Sequence, residues 1–173
     1  PLAEAAKSEG AWSVYLEALE AENGPAEEQA HALNRIGDSR YYQQDIAGAL
    51  ASSLEAEKRL IAAGATDGEA MAGTLANIAT FYTGVGQPEK NVPLQERSLK
   101  IRTALYGQDP EGIAPPDAKA LGLGYLNYAA ALYEANRFGD AAEYVDPAIK
   151  GLIRGGMTDT TLFVTLSTGA NIY

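Results

Sequence analysis

The chain has 173 residues, of which 46% are hydrophobic and 21% are charged, and its net charge is −10. This acidic balance argues against nucleic acid or an anionic membrane surface as a partner, because both favour a basic patch. The absence of cysteine excludes disulfides, thiolate metal sites and cysteine nucleophiles, and it fits either the cytosol or a bacterial periplasm. No apolar run reaches about 18 residues, so we expect no membrane insertion.

Helical periodicity runs through the chain, and the breaks between the predicted helices carry turn chemistry. Glycine tolerates the left-handed conformation after a helix, and Asp, Asn and Pro favour the start of the next one. The predicted breaks are at Gly10 and at residues 23–25, 43–45, 64–68, 84–88, 106–116, 136–137 and 155–159. We therefore predict an all-α chain.

The first predicted element covers residues 1–24 and has the pattern of a second helix whose partner is missing. Its apolar residues recur at helical spacing: Ala11, Tyr15, Ala18 and Leu19. A self-contained repeat domain would begin with a polar capping helix, so we expect the chain to be a fragment of a longer array.

Three complete helical hairpins are predicted next, at residues 25–66, 67–116 and 117–156. Each has two large residues and a small one on its first helix: Leu33, Ile36, Gly37; Leu75, Ile78, Ala79; Tyr125, Tyr128, Ala129. The second helices carry Ile46, Ala49, Ala56; Pro88, Asn91, Ser98; and Phe138, Ala141, Ala148 at matching offsets. The small residue lets paired helices approach closely, and stacked hairpins bury faces that one hairpin leaves open. Tyr125 and Tyr128 are therefore predicted to be core residues.

The middle hairpin departs from this pattern in two places. Asn91 takes the place of a small residue and Pro93 follows closely, so we expect this helix to begin near Asn91 after an irregular turn. Residues 111–117 lengthen the next loop and are predicted to form an ordered, protruding connection. The last element, residues 157–173, has the pattern of a first helix without its partner.

Several segments resemble the tetratricopeptide repeat family, in the variety of roughly 42 residues found in kinesin light chains and many bacterial repeat proteins. These segments are residues 75–82, 97–102, 105–110 and 113–114. The resemblance covers about residues 11–173 and implies a right-handed α-solenoid whose first helices line a concave groove. It also implies a module that binds an extended peptide or a segment of a partner protein in that groove.

Polar residues follow the first anchor of each hairpin by two positions: Arg35, Asn77 and Asn127. In tetratricopeptide proteins an asparagine here commonly bonds the backbone of a peptide, and a basic residue here can hold a carboxylate. An amide offers both donor and acceptor, and a guanidinium offers charge-assisted bonds. The alternative is that these residues sit on solvated helix faces.

Further residues are predicted on the same face: His31, Asp38, Tyr41, Tyr42, Thr80, Thr83, Tyr133 and Glu134. Tyrosine suits an interface because it brings a large contact area with few rotatable bonds. The alternative that Tyr41 and Tyr42 pack against the next helix stays open.

Nothing in the sequence favours catalysis, a metal or a cofactor. His31 is the single histidine, and no strained-turn serine motif accompanies it. The glycines of residues 83–86 and 121–124 follow no strand and lack a P-loop lysine, so they are interpreted as helix ends and close-packing positions. The acidic runs 17–22 and 27–28 are interpreted as solvated faces, with a surface for a basic partner as the lesser alternative.

Two further functions remain open from the sequence. One is a scaffold that forms a homo-oligomer through its end helices, with Leu162, Phe163 and Leu166 in the contact. The other is the regulatory repeat region of a larger enzyme.

Overall fold

The computed structural model describes residues 2–157, which form helices joined by short turns. The α-helices are α1 Leu2–Ala21, α2 Ala26–Tyr42, α3 Ile46–Ala62, α4 Glu69–Gly84, α5 Asn91–Tyr106, α6 Pro115–Glu134 and α7 Phe138–Arg154. Single turns of 3-10 helix at Pro88–Lys90 and Pro110–Gly112 precede α5 and α6. No strand occurs in this described range, and the predicted all-α class is confirmed. The predicted final half-repeat, with Leu162, Phe163 and Leu166, lies outside the described residues.

The helices divide into two compact units, Pro1–Lys90 and Asn91–Tyr173. In the first unit each helix packs against the next along the chain, and α2 also contacts α4. The helix α2 approaches α3 closely at Gly37, where an added Cβ would lie 3.1 Å from the carbonyl oxygen of Ala49. Leu33 and Ile36 beside it are buried, as the anchor pattern predicts.

A buried polar network joins α2, α3 and α4 in this unit. The side-chain amide of Asn34 donates to Thr74 Oγ1 at 2.7 Å, and Ser53 Oγ donates to Asn34 Oδ1 at 3.0 Å. Thr74 in turn donates to the carbonyl oxygen of Ala70 at 2.8 Å. Because every link satisfies a polar atom inside the core, the network fixes how the three helices meet.

The predicted break at Gly10 is wrong, since α1 runs through it without interruption. Glycine inside a helix costs about 1 kcal/mol relative to alanine. Contacts with α2 on either side of this position offset that cost. Glu9 bonds Arg40 at 2.8 Å, and the Trp12 ring meets the His31 ring edge-on at a centroid distance of 5.4 Å.

In the second unit the core lies between α5, α6 and α7. Its buried residues include both predicted tyrosine anchors: Leu99, Leu121, Tyr125, Tyr128, Leu132, Ala141 and Ala148. The backbones of α6 and α7 touch at Gly122 and Gly151, where a Cβ on Gly151 would lie 2.7 Å from the Cα of Gly122. The interpretation of Gly122 as a close-packing position is therefore confirmed.

The turn before α5 agrees with the prediction, whereas the connection after α5 agrees only in part. The helix begins at Asn91 after a 3-10 turn, as predicted, and Pro93 lies in its first turn. The connection that follows is ordered but does not protrude along its length: Pro110 is buried, and Arg154 Nε donates to the carbonyl oxygen of Ile113 at 3.2 Å. Its last residues belong to α6, which starts with two prolines because the first turn needs no N–H donors.

Candidate functional site

The first unit brings three of the predicted groove residues together. Arg35 Nη2 and Asp38 Oδ2 lie 3.0 Å apart, one turn apart on α2. From α4, the amide nitrogen of Asn77 donates to Asp38 Oδ1 at 3.3 Å. The side chain of Arg35 is 48% exposed and that of Asp38 is 29% exposed, so the cluster is accessible from solvent. We name these three residues the α2–α4 cluster.

The electrostatics of the cluster centre on Asp38. Burial raises the pKa of this carboxyl above its usual range, and the nearby charge of Arg35 and the His31 ring oppose that rise. The carboxylate is thus partly removed from water and is compensated mainly by one guanidinium. His31 itself is exposed on α2.

A cavity of about 450 Å³ opens beside the cluster, between α1 and α2. Its walls are Glu4, Ala5, Ser8 and Trp12 from α1 and Arg35, Asp38, Ser39 and Tyr42 from α2. The α1 wall was not foreseen in the sequence. A signal for it exists, because Glu4, Ser8 and Trp12 recur every four residues and therefore share one face of a helix.

Arg40 of α2 and Gln43, the residue that directly follows α2, both bond α1. Glu9 accepts from Arg40 Nε and from Gln43 Nε2, both at 2.8 Å. The hydrogen bond from Arg40 is the main reason why the pKa of Glu9 is held below its usual range. The position of the cavity wall therefore depends in part on this ion pair.

Tyr41 and Tyr42, which the sequence left ambiguous, have different environments. The Tyr41 ring packs on Phe81 of α4 at a centroid distance of 5.5 Å, and 37% of the residue is exposed. Tyr42 is 70% exposed and lines the cavity. Tyr41 therefore packs against another helix, whereas Tyr42 is available to a ligand.

The remaining predicted residues of α4 are the threonines. Thr80 is exposed, and its hydroxyl donates to the carbonyl oxygen of Ala76 at 3.1 Å. Thr83 is half-buried and bonds the carbonyl oxygen of Ala79 at 3.4 Å. Both hydroxyls therefore point back along their own helix.

In the second unit the predicted residues lie on α6. Asn127 is half-buried. The half-buried Tyr133 ring meets Phe138 edge-on at a centroid distance of 5.1 Å, and Glu134 accepts from the Asn91 amide at 3.2 Å. Tyr133 thus contributes to packing as well as to the surface.

A second cavity, of about 300 Å³, lies within this unit. It is lined by Glu96, Leu99, Lys100, Thr103, Gln108, Tyr125, Tyr128 and Tyr144. The hydroxyl of Tyr125 donates to the carbonyl oxygen of Gln108 at 2.9 Å, and Tyr128 meets Tyr144 edge-on at 4.8 Å. The two core tyrosines therefore also form a cavity wall, which the sequence did not predict.

Neither a metal centre nor a membrane span is found among residues 2–157. In that range no three His, Cys, Asp or Glu side chains are grouped so that they could hold a metal ion. None of the described helices combines the length and apolar character needed to cross a bilayer.

Successive helical hairpins of this kind are typical of α-helical repeat proteins. Residues 71–111, which contain most of α4 and all of α5, match the family model of the tetratricopeptide repeat. This match supports a similarity to the tetratricopeptide repeat family over these residues, and the all-α fold agrees with it. A comparison with curated proteins finds no significant match.

The fold is shared with solved structures, among which 28 chains match. One is BtubC (BKLC) from P. vanneervenii, with a TM-score of 0.80 and 14% sequence identity. The alignment covers 98% of this chain and 65% of BtubC, so the chain spans about two thirds of that protein's length. At this identity the likeness shows the fold alone.

Proposed function

We propose that this chain binds an extended peptide, or an extended segment of a partner protein, on its first helices α2, α4 and α6. Tetratricopeptide repeats are in general protein–protein interaction modules. The observation that carries the finer proposal is the α2–α4 cluster, where polar side chains of two successive first helices meet beside an open cavity.

The chemistry of the cluster suits a peptide backbone. A guanidinium has five N–H donors, so Arg35 has capacity for a ligand beyond its contact with Asp38. The amide of Asn77 likewise offers an acceptor oxygen and a second N–H. A peptide unit presents one donor and one acceptor, and it can pair with such groups without a change in the fold.

Aromatic surface next to the cluster supplies the apolar part of the contact. Tyr42 is largely exposed and Trp12 lines the same cavity. Such rings dominate binding energy when a ligand covers them. In the second unit we assign the matching roles to Asn127 and Tyr133 on α6, with the first as hydrogen-bonding group and the second as contact surface.

The experiment begins with a peptide selected from a displayed library of random 12-mers. Its affinity is measured by fluorescence anisotropy for the wild-type chain and for the double variant Asn77→Ala, Asn127→Ala. Each lost hydrogen bond is expected to cost about 1 kcal/mol, so the double variant binds about tenfold or more weakly. Lys58→Ala, on the second helix α3 where the side chain is 78% exposed, is the matched control and keeps wild-type affinity.

The melting temperature of the double variant distinguishes binding from folding. The bond from the Asn77 amide to Asp38 is long, at 3.3 Å, and its loss costs about 1 kcal/mol, so we expect a melting temperature within about 4 °C of that of the wild type. Unchanged affinity, or unfolding of the double variant, contradicts the proposal.

A further inference from the structure

The two units differ sharply in charge. Residues 1–90 contain 14 Asp and Glu against 6 Lys and Arg, whereas residues 91–173 contain 9 against 7. The first unit thus carries most of the net charge of −10. A field of this sign attracts cationic partners and repels acidic ones.

The cavity between α1 and α2 has the same sign. Its charged walls are two carboxylates, Glu4 and Asp38, and one guanidinium, Arg35. The guanidinium is already engaged with Asp38 at 3.0 Å. An acidic ligand would approach both carboxylates, and the charge of Arg35, which is paired with Asp38, offsets only part of their repulsion. A cationic ligand would instead give the partly desolvated Asp38 a second compensating charge.

Aromatic rings complete a lining suited to a long cationic side chain. Trp12 of α1 and Tyr42 of α2 both line the cavity. The face of an aromatic ring attracts an ammonium or guanidinium group, with tryptophan the strongest. The methylene stem of lysine or arginine packs on apolar surface while its charged end meets polar groups, and Ala5 offers such surface here.

We propose that this cavity takes a Lys or Arg side chain of the bound peptide, and that the partner segment is therefore basic. The inference rests on the proposed peptide-binding function and specifies its ligand. Trp12 and Tyr42 contact the stem and the cationic group, and Asp38 and Glu4 supply the negative charge.

The single tryptophan of the chain gives a direct probe of this cavity. The indole N–H signal of Trp12 in a nitrogen-15 correlation spectrum is followed during titration with blocked tripeptides at constant ionic strength. The probes are Ac-Ala-Arg-Ala-NH2 and Ac-Ala-Lys-Ala-NH2, and the comparison peptides have Gln or Glu at the centre. We expect the cationic peptides to shift the signal with affinities at least about fivefold higher than those of the Gln and Glu peptides.

Two variants test the roles of charge and ring. Asp38→Asn leaves Arg35 without its carboxylate, so we expect about a tenfold loss of affinity for the Arg peptide and a gain for the Glu peptide. Tyr42→Leu keeps apolar area on an exposed side chain but removes the ring, and we expect about a threefold loss for the Arg peptide. The control Glu17→Gln changes charge at an exposed position outside the cavity and leaves both affinities unchanged.

The possible outcomes separate this inference from the function on which it rests. Equal or higher affinity of the Glu peptide for the wild type overturns the inference, as does an Asp38→Asn variant with unaltered preference. Library peptides could bind at α2, α4 and α6 without enrichment of Lys or Arg, while the Arg peptide leaves the Trp12 signal in place. In that case the cavity assignment fails and the proposed peptide binding stands. If no library peptide binds at all, the proposed function fails as well.

Discussion

The contact between α6 and α7 leads to a sharp prediction about two glycines of one helix. Gly151 packs its backbone against α6, and an added Cβ would lie 2.7 Å from both the Ala118 carbonyl oxygen and the Gly122 Cα. Ordinary contacts of a Cβ start at 3.4 Å, so Gly151→Ala forces the helices apart by about 0.7 Å. Gly139, near the start of α7, has nothing within 4 Å of the same position.

The magnitude follows from two opposing effects. Alanine gains about 1 kcal/mol over glycine in a helix. Separation of packed backbones by this distance forfeits a quarter to a half of each dispersion contact, and overpacking of this kind costs about 1–3 kcal/mol. At such a close backbone contact we expect the upper part of that range, so Gly151→Ala lowers the free energy of unfolding by about 1–2 kcal/mol. Gly139→Ala leaves it unchanged or raises it by up to about 1 kcal/mol.

Unfolding in urea is monitored by far-ultraviolet circular dichroism. The midpoints of the variants are compared when the free energy of unfolding falls with urea concentration at the same slope in each. A lower midpoint for Gly151→Ala and an equal or higher midpoint for Gly139→Ala are expected. If Gly151→Ala matches the wild type, or if both variants fall equally, close approach of the backbones is not what stabilises this hairpin.

Two further predictions concern the first unit. Thr74→Val keeps the shape of the side chain but leaves the buried Asn34 amide without its acceptor, so we expect a loss of about 1–3 kcal/mol in urea unfolding; an unchanged midpoint argues against the network. Glu9→Gln removes the ion pair with Arg40 and is expected to cost about 1 kcal/mol at neutral pH. The folded pKa of Glu9 is lowered below 4.5, so this contribution is present above that pH and is lost as the pH falls through the folded pKa. The free energies of unfolding of the wild type and the variant therefore converge at acidic pH. A gap that persists at low pH contradicts an electrostatic origin.

The repeat anchors could be predicted because their signal is local. Leu33, Ile36 and Gly37 sit at helical spacing, and the same pattern recurs at residues 75–79 and 125–129, so one face of each first helix is specified by periodicity alone. The start of α5 at Asn91 was also predictable, since proline restricts where a helix can begin.

The features that escaped prediction depend on contacts between distant residues. A glycine signals a break only if nothing else holds the helix, and Gly10 is held by contacts of its neighbours with α2. Likewise α7 continues through Pro147, where packing on α6 outweighs the lost hydrogen bond. The partners of Asn34 are 19 and 40 residues away, so no local pattern indicates them. The role of Trp12 appears only when α1 lies against α2.

The most direct test of the central claim is to map the contact surface of a selected 12-mer on the isotopically labelled chain by NMR chemical-shift changes. Peptide binding on the first helices predicts that the shifts concentrate on α2, α4 and α6, at Arg35, Asp38, Tyr42, Asn77, Thr80, Asn127 and Tyr133. It also predicts that α3, α5 and α7 respond weakly. Shifts concentrated on α3, α5 and α7 would contradict the claim and place the interaction surface on the second helices.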